Sequence, residues 1–540
     1  MVASGFMTVP ATASRPPSRY IATDPRTADG WRLERLTTPS RLFGANGLRT
    51  GPDGRVYVAQ VTGSQISALG LDGDVEAISP KGGDIIAPDD VAFDSSGNLY
   101  ATEVMDGRVS VRDVSGAARV LRDDLPCANG ITVYQDRLFI NECRDGGRLM
   151  ELDRATGASR ILLEDLPSPN AMEVGPDGML YYPLMTANEI WRVHPDGGEP
   201  QRVTGDLGVP DAVKFDSQGF LVSTQVASGQ VLRIDPRSGD KTLLAQLNPG
   251  LDNLTFVGDR LFVSNFTGEI TEVLAGGETR TAMPGGLNWP LDLVVGDDGR
   301  IYVADGTYFY AVGTDGVLET VGMLFTPGYP GFLRGLAPAG AGAFVVATSG
   351  GQIARYRPGD DETDYLADGF DQLYGVAIGP GEAIVFAELG TGSVHTLRSG
   401  RVELLASGLQ DPVGVTFGPD GVPMVAESGA GRVVRVAGST ETVVDGLQRP
   451  QGIHVCDGKL YIVDAGAKEV VAVDLASGER GTIASDLPVG PPPGVDPKPL
   501  KGMPPFSGPQ GPFAGITSGP DGSLYFSADG DGSVLALRRT

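Results

Sequence analysis

Asn46 to Ser79 reads NGLRTGPDGRVYVAQVTGSQISALGLDGDVEAIS. Four short β-rich runs are separated here by turns of Gly, Asp and other small residues. The run VYVAQ carries β-branched and aromatic side chains, and GPDG and LDGD supply glycines that accept the positive φ of antiparallel hairpins. The pattern returns from Asn129 as NGITVYQDRLFINECRDGGRLMELDRATGASRIL and from Asn170 as NAMEVGPDGMLYYPLMTANEIWRVHPDGGEPQRV. GPDG itself stands at Gly51, Gly175, Gly418 and Gly519. Each unit predicts one four-stranded antiparallel sheet.

The residue two before each first strand marks the repeats: Asn46, Asp89, Asn129, Asn170, Asp211 and Asp252, then Leu291, Arg334, Tyr374, Val413, Gln451 and Ala514. The steps are 43, 40, 41, 41, 41, 39, 43, 40, 39, 38 and 63 residues. Such spacing predicts an all-β chain, a β-propeller of twelve four-stranded blades. Twelve blades close either one ring or two rings of six. A single ring leaves a wide hole with little to fill it, so two six-bladed propellers in tandem are expected. The division is then a flexible N-terminal arm over residues 1–30, a first ring over 31–275 and a second over 276–540. In that scheme the orphan strand WRLERLT from Trp31 completes the sixth blade, and the strand near Thr279 to Met283 completes the twelfth. In a single ring the orphan completes the twelfth. The long last step holds a proline-rich insertion, Leu487 to Phe513, predicted to be stiff, extended and outside any sheet. It is either a lid over the face where inner strands begin or an inert loop.

Composition narrows the function. Among 540 residues, 42 Lys and Arg stand against 68 Asp and Glu, a net charge of −26. That argues against nucleic acid or an anionic membrane as partner. With 3 Cys there is no disulfide framework, and Cys127 and Cys143 read as free thiols of a reducing compartment. The 3 His, at 194, 395 and 454, read as ordinary sheet residues, which leaves little room for zinc or Ser-His-Asp chemistry. The arm to Gly30 lacks the apolar core of a signal peptide, so a cytoplasmic protein is expected, with an unusual export signal as the alternative. Nothing in the sequence speaks to oligomeric state.

In a propeller the inner strands start on one face around the axis. All six starting residues of the first half are Asn or Asp, whereas the second half has none. Local Asx turns would account for the first half alone, but the second half makes the same strand entry with Leu, Tyr or Val. A ring of oxygen donors suits a hard cation, Ca²⁺ or alternatively Mg²⁺ or Mn²⁺. The second strands end in Gln60, Glu103, Glu142, Gln225 and Asn265. Glu103 or Glu142 could add a ligand or a proton acceptor. Asp305, Glu388, Glu427 and Asp464 hold the same place in the second half, which points instead to a structural role.

NGITV, NAMEV and PDAVKF at successive blades, with GPDG turns and second strands such as IYVAD, resemble the senescence marker protein/gluconolactonase family. Its relatives include diisopropylfluorophosphatase-type and paraoxonase-type hydrolases. The resemblance, in two copies, implies six-bladed propellers with a central divalent cation, usually calcium, and hydrolysis of a small-molecule substrate: lactones, other esters or organophosphates. It implies Asn129, Asn170 and Asp211 as ligands; LDNLTF, with Asp252 and Asn253, looks like the Asp-Asn pair of the paraoxonase type. The family's first-blade Glu is replaced by Asn46. The expected metal set is therefore Asn46, Asn129, Asn170, Asp211 and Asp252, with Asp211, Asp252 or Glu142 moving the proton. An elimination of the streptogramin-lyase kind at the same site is an alternative. So is a binding propeller like those of NHL repeats, which the second half, with Arg334 and Tyr374, permits.

Overall fold

A computed structural model describes Arg19, residues 23–504 and residues 507–540. Twelve antiparallel sheets follow one another along the chain, eleven with four strands and one with five. Two single-turn 3₁₀ segments, Pro358–Asp360 and Pro380–Glu382, are the helical content of the described residues. In the first sheet, Val56–Gln60 and Gln65–Leu69 are wholly buried, while the outer strand Val75–Ser79 is mostly exposed. Sheets stacked face to face bury both surfaces of their middle strands, so these read as continuous apolar runs. The GPDG turn closes as expected: Gly51 N–H donates to the Arg55 carbonyl at 2.9 Å, and Gly54 takes a φ of +79°.

The inner strands touch in a closed circuit: Leu48–Thr50, Pro88–Phe93, Ala128–Tyr134, Glu173–Val174, Pro210–Phe215, Leu251–Val257 and back to Leu48–Thr50. A second circuit runs Leu293–Val295, Leu333–Pro338, Leu373–Ile378, Pro412–Phe417, Pro450–Cys456, Ile516–Ser518 and back to Leu293–Val295. The twelve blades therefore form two six-membered rings.

The outer strands are distributed differently from the expectation. Trp31–Arg35 pairs with Ser533–Arg539, from Trp31 opposite Arg539 to Arg35 opposite Leu535, and completes the twelfth sheet rather than the sixth. Thr279–Met283 stays with Ile270–Val273 in the sixth sheet. The expected boundary at 275 is thus corrected: the first ring keeps Thr279–Met283, and the second takes Trp31–Arg35. The reason is local. A tight hairpin, with Leu274 N–H on the Glu278 carbonyl at 2.7 Å, covers the sixth sheet's edge first. The twelfth repeat ends after three strands and leaves Ser533–Arg539 open. An uncovered edge is the place where a distant strand docks.

The first ring closes through side chains. Thr50 N–H donates to Thr255 Oγ1 at 3.0 Å, Thr50 Oγ1 donates to the Phe256 carbonyl at 2.7 Å, and Leu48, Val58, Phe262 and Ile270 share one buried cluster. Most of the expected loose arm lies outside the described residues, but its described part is built in. Arg26–Thr27 pairs with Arg480–Ser485, and Arg19 donates to the carbonyls of Leu42, Leu287, Asn288 and Asp529.

The proline-rich insertion is docked, not free of pairing. Leu500 bridges Gln510, Met503 bridges Ser507, and Leu487, Val489, Leu500 and Phe513 are buried. It closes the second ring's axis. There Arg334 lies over the Trp289 and Tyr374 rings at 5.3 and 4.5 Å and donates to the Gly511 carbonyl, while Tyr374 packs edge-on against Phe513. The starting residues that lack Asn and Asp are thus the ones that build a plug.

A chain beginning at Leu36 lacks both N-terminal strands. Its thermal unfolding midpoint is expected to fall by ~5 °C or more below that of a chain beginning at Asp24, the shift that ~2 kcal/mol produces in a unit of this size. Equal midpoints by calorimetry would show that Trp31–Arg35 adds nothing to the twelfth sheet.

Candidate functional site

Asn46, Asp89, Asn129, Asn170, Asp211 and Asp252 all line one cavity of about 420 Å³ on the first ring's axis. Backbone irregularity aims several of them. The first strands break register between Pro88 and Val91, Ala128 and Ile131, Pro210 and Val213, and Leu251 and Leu254. Such bulges turn a side chain away from its regular direction, here toward the axis. A polar residue one place before the end of each second strand clamps the bulge. Thr102 Oγ1 accepts from Asp90 N–H at 3.1 Å and donates to the Asn129 carbonyl. Asn141 joins Gly130 N–H to the Asn170 carbonyl, Thr224 joins Ala212 N–H to the Asp252 carbonyl, and Ser264 joins Asn253 N–H to the Asn46 carbonyl. Four of the six blades thereby set the starting residue of the next.

Three carboxylates meet the cavity without a cationic partner. Among the described residues, no Lys or Arg forms an ion pair with Asp89, Asp211 or Asp252. Burial first, and the charge of Asp90 second, push the Asp89 carboxyl up to about 8. Asp211 is held well above the ordinary range by burial and then by Asp89; Asp252 is raised likewise by burial and then by Asp211. Asp90, one residue on, is treated differently: it accepts Val91 N–H at 2.8 Å and faces Lys214 and Arg49. The Asn129 amide oxygen is buried and accepts no hydrogen bond. Asn170 presents its amide nitrogen to Met185 Sδ at 3.0 Å while its oxygen accepts Ala171 N–H at 2.7 Å. Asn46 accepts Val61 N–H at 3.1 Å and donates to Asp252 Oδ2 at 3.0 Å, so it orients Asp252 and turns its nitrogen toward that carboxylate. Cys143 also lines the cavity as a free thiol, raised well above its usual value by burial and by Asp211.

Beneath this layer lies a second one, three residues along each inner strand. Arg49 pairs with Glu173 at 2.6 Å, and Lys214 reaches Glu173 at 3.5 Å. Burial raises Glu173, but Arg49 and Lys214 outweigh it and hold the carboxyl below its ordinary value. The channel floor is therefore compensated and its mouth is not.

Glu142 stands apart. Its buried carboxylate is ion-paired with Arg148 and, at 3.2 Å, with Arg144, and it does not line the cavity. The other second-strand ends share a structural task. Gln60, Glu103, Gln225, Asp305, Glu388 and Glu427 each accept a backbone N–H from the residue seventeen places earlier, at Phe43, Ile86, Gly208, Asn288, Asp371 and Gln410. The acid at this position ties the loop that precedes an inner strand.

Above the oxygen ring the walls are mainly apolar, with Val104, Met105, Met185 and Phe266 from the first ring, interrupted by Thr62, Ser168, Thr186, Asn188, Asn288 and Thr307. Leu324, Phe325 and Phe332, between the seventh and eighth sheets, and Met503 of the insertion complete them from the second ring. Phe325 stacks on Phe266 with centroids 6.3 Å apart and planes at 17°.

Among the described residues, no group of three His, Cys, Asp or Glu stands as a ready metal cluster, and no helix is long and apolar enough to cross a membrane. No curated protein matches the chain. Among solved structures, a streptogramin B lyase is 17% identical over 51% of this chain and 94% of its own, with a TM-score of 0.39. Virginiamycin B lyase from Staphylococcus aureus is 18% identical over 51% and 96%, at 0.38. A gluconolactonase from Xanthomonas campestris is 17% identical over 47% and 96%, at 0.37. The model of the family described as SMP-30/Gluconolactonase/LRE-like region matches residues 36–267, all of the first ring except the last two strands of its sixth sheet. The likeness to the senescence marker protein/gluconolactonase family is thus carried by the ring whose axis holds the oxygen donors.

Proposed function

We propose that the first ring is a divalent-cation-dependent hydrolase that opens a lactone or a related ester. The reading rests above all on Asp89, Asp211 and Asp252, three buried carboxylates that line one cavity with the Asn129 amide oxygen and, among the described residues, have no Lys or Arg ion pair. Burying like charges together is costly unless a positive charge offsets them. An all-oxygen donor set fits a hard ion such as Ca²⁺ better than a soft one. Asp89, Asn129, Asp211 and Asp252 would hold it, joined by Asn170 after its amide turns. Polarisation of the ester carbonyl is the chemistry that such an ion supplies when bound.

The remaining steps belong to the chain. Asp211 accepts a proton from water as the water oxygen bonds to the carbonyl carbon. When the ring C–O bond breaks, the same proton passes from Asp211 to the departing alkoxide. Asn46 keeps Asp252 from turning away. The apolar walls exclude bulk water, which strengthens each electrostatic interaction at the oxygen ring.

In purified protein, Ca²⁺ is expected to raise the unfolding midpoint and a chelator to reverse the gain and abolish hydrolysis of lactones or esters. A calcium-insensitive midpoint together with unchanged turnover in chelator would refute the reading, and a product with a new C=C bond would mark an elimination instead. Asp211→Asn is expected to lower turnover by about 10²-fold or more, as loss of a general base does. Glu142→Gln serves as its contrast. Since its carboxylate is committed to Arg144 and Arg148, the change should reduce thermal stability and leave kcat near the native value.

A further inference from the structure

Resting on that hydrolytic reading, we infer that the second ring selects the substrate: Phe325, Phe332 and Met503 hold an apolar alkyl or aryl group borne by the lactone or ester. The cavity has two chemistries in two layers. Its floor is a ring of oxygens, where a reacting carbonyl belongs. Its upper walls offer mainly aromatic, thioether and aliphatic surface, where a Phe ring accepts no ordinary hydrogen bond and a Met sulfur only a weak one, and the Thr62, Ser168 and Thr186 hydroxyls there already donate to Phe43 and Asp145. A polyhydroxylated lactone would leave several hydroxyls unpaired there, each at a cost, whereas a hydrocarbon chain would replace water at a gain. At about 420 Å³ the cavity accommodates a ring with a medium-length substituent.

The three side chains meet at the junction of the two rings, where they also pack against its apolar clusters. Phe332 is 3% exposed within the apolar cluster that joins the rings, with Val61, Met105 and Trp289. Phe325 is partly exposed and stacks on Phe266 across the ring boundary. Met503, also partly exposed, comes from the docked insertion, and an unbranched thioether adapts to chains of different length. The first ring's oxygen site is therefore roofed by residues more than forty places beyond its last strand. Neither ring forms this cavity alone.

The test uses the full-length protein and a series from γ-butyrolactone to γ-dodecalactone, with glucono-δ-lactone beside it. The kcat/KM is expected to rise by up to about fourfold per added methylene until the cavity is full, the factor that burial of one methylene supplies. Glucono-δ-lactone should be the poorest substrate. Phe325→Ser and Met503→Ser should each flatten the series, with kcat/KM for the long-chain lactones falling further than that for γ-butyrolactone. A flat series in the native protein, or native slopes in both variants, would overturn the inference. Uncleavable 2-alkylcyclopentanones, followed by calorimetry, separate the two readings. Binding that tightens with chain length while no lactone is opened keeps the selecting roof and removes the hydrolase. Hydrolysis with neither chain-length effect does the reverse, and silence in both assays removes both.

Discussion

The pairing of Trp31–Arg35 with Ser533–Arg539 joins points five hundred residues apart, and the arrangement of the molecule depends on it. It closes the second ring with a strand that precedes the first. The first ring consequently leaves the second at Leu36 and returns to it through Leu287, beside the seventh sheet, which is the twelfth sheet's neighbour. Both of its chain ends are tied at one place. Arg19 sits at that crossing and donates to carbonyls on each passing segment: Leu42 on the way out, Leu287 and Asn288 on the way back, Asp529 in the twelfth sheet. With both ends held, the first ring needs no shared strand and closes through Thr50, Thr255 and a side-chain cluster. The second ring is at the same time fixed over the first ring's mouth.

From one repeat the two rings build opposite axes. Each inner strand begins with a side chain that must either meet a ligand or meet protein. In the second ring it meets protein: Arg334, Tyr374 and Phe513 fill the axis, and Asp292 turns its carboxylate to Leu293 and Leu336 N–H groups. In the first ring the corresponding Asp90 is similarly served, by Val91 N–H and by Lys214 and Arg49. Among the described residues, the starting carboxylates Asp89, Asp211 and Asp252 form no ion pair with Lys or Arg. A propeller distributes its stability over many blades, so it tolerates this local cost in one place.

The blades were legible because the turn chemistry and the spacing repeat, and the contrast between Asn/Asp and Leu/Tyr starts already separated the two axes. Which outer strand joins which sheet was not legible. WRLERLT and TRTAM are both largely solvent-facing outer strands, and neither carries a feature that names its sheet. Glu142 shows a signal that was present and unused: Arg144 and Arg148 follow it within six residues, and a carboxylate so flanked is committed to them. The clamps at Thr102, Asn141, Thr224 and Ser264 could also have been found, as polar residues at a constant offset in otherwise apolar strands. Asp89 was in the recognised ring but outside the expected ligand set, because family likeness ranked its neighbours first. Phe325, Phe332 and Met503 belong to the cavity only through the packing of one ring on the other, which no repeat pattern encodes.

The roof and the oxygen ring are thermodynamically connected through water. Apolar walls that keep water out remove the solvation that would otherwise stabilise Asp89, Asp211 and Asp252 as carboxylates, and so increase their mutual repulsion. An open or hydrated mouth would relieve that repulsion, and a cation on the axis would offset it in the closed arrangement. An apolar group lodged under Phe325 acts in the same direction as the walls, because it displaces the water that would screen the carboxylates. On the proposed reading, substrate selection at the second ring and charge compensation at the first are coupled through the water that both displace.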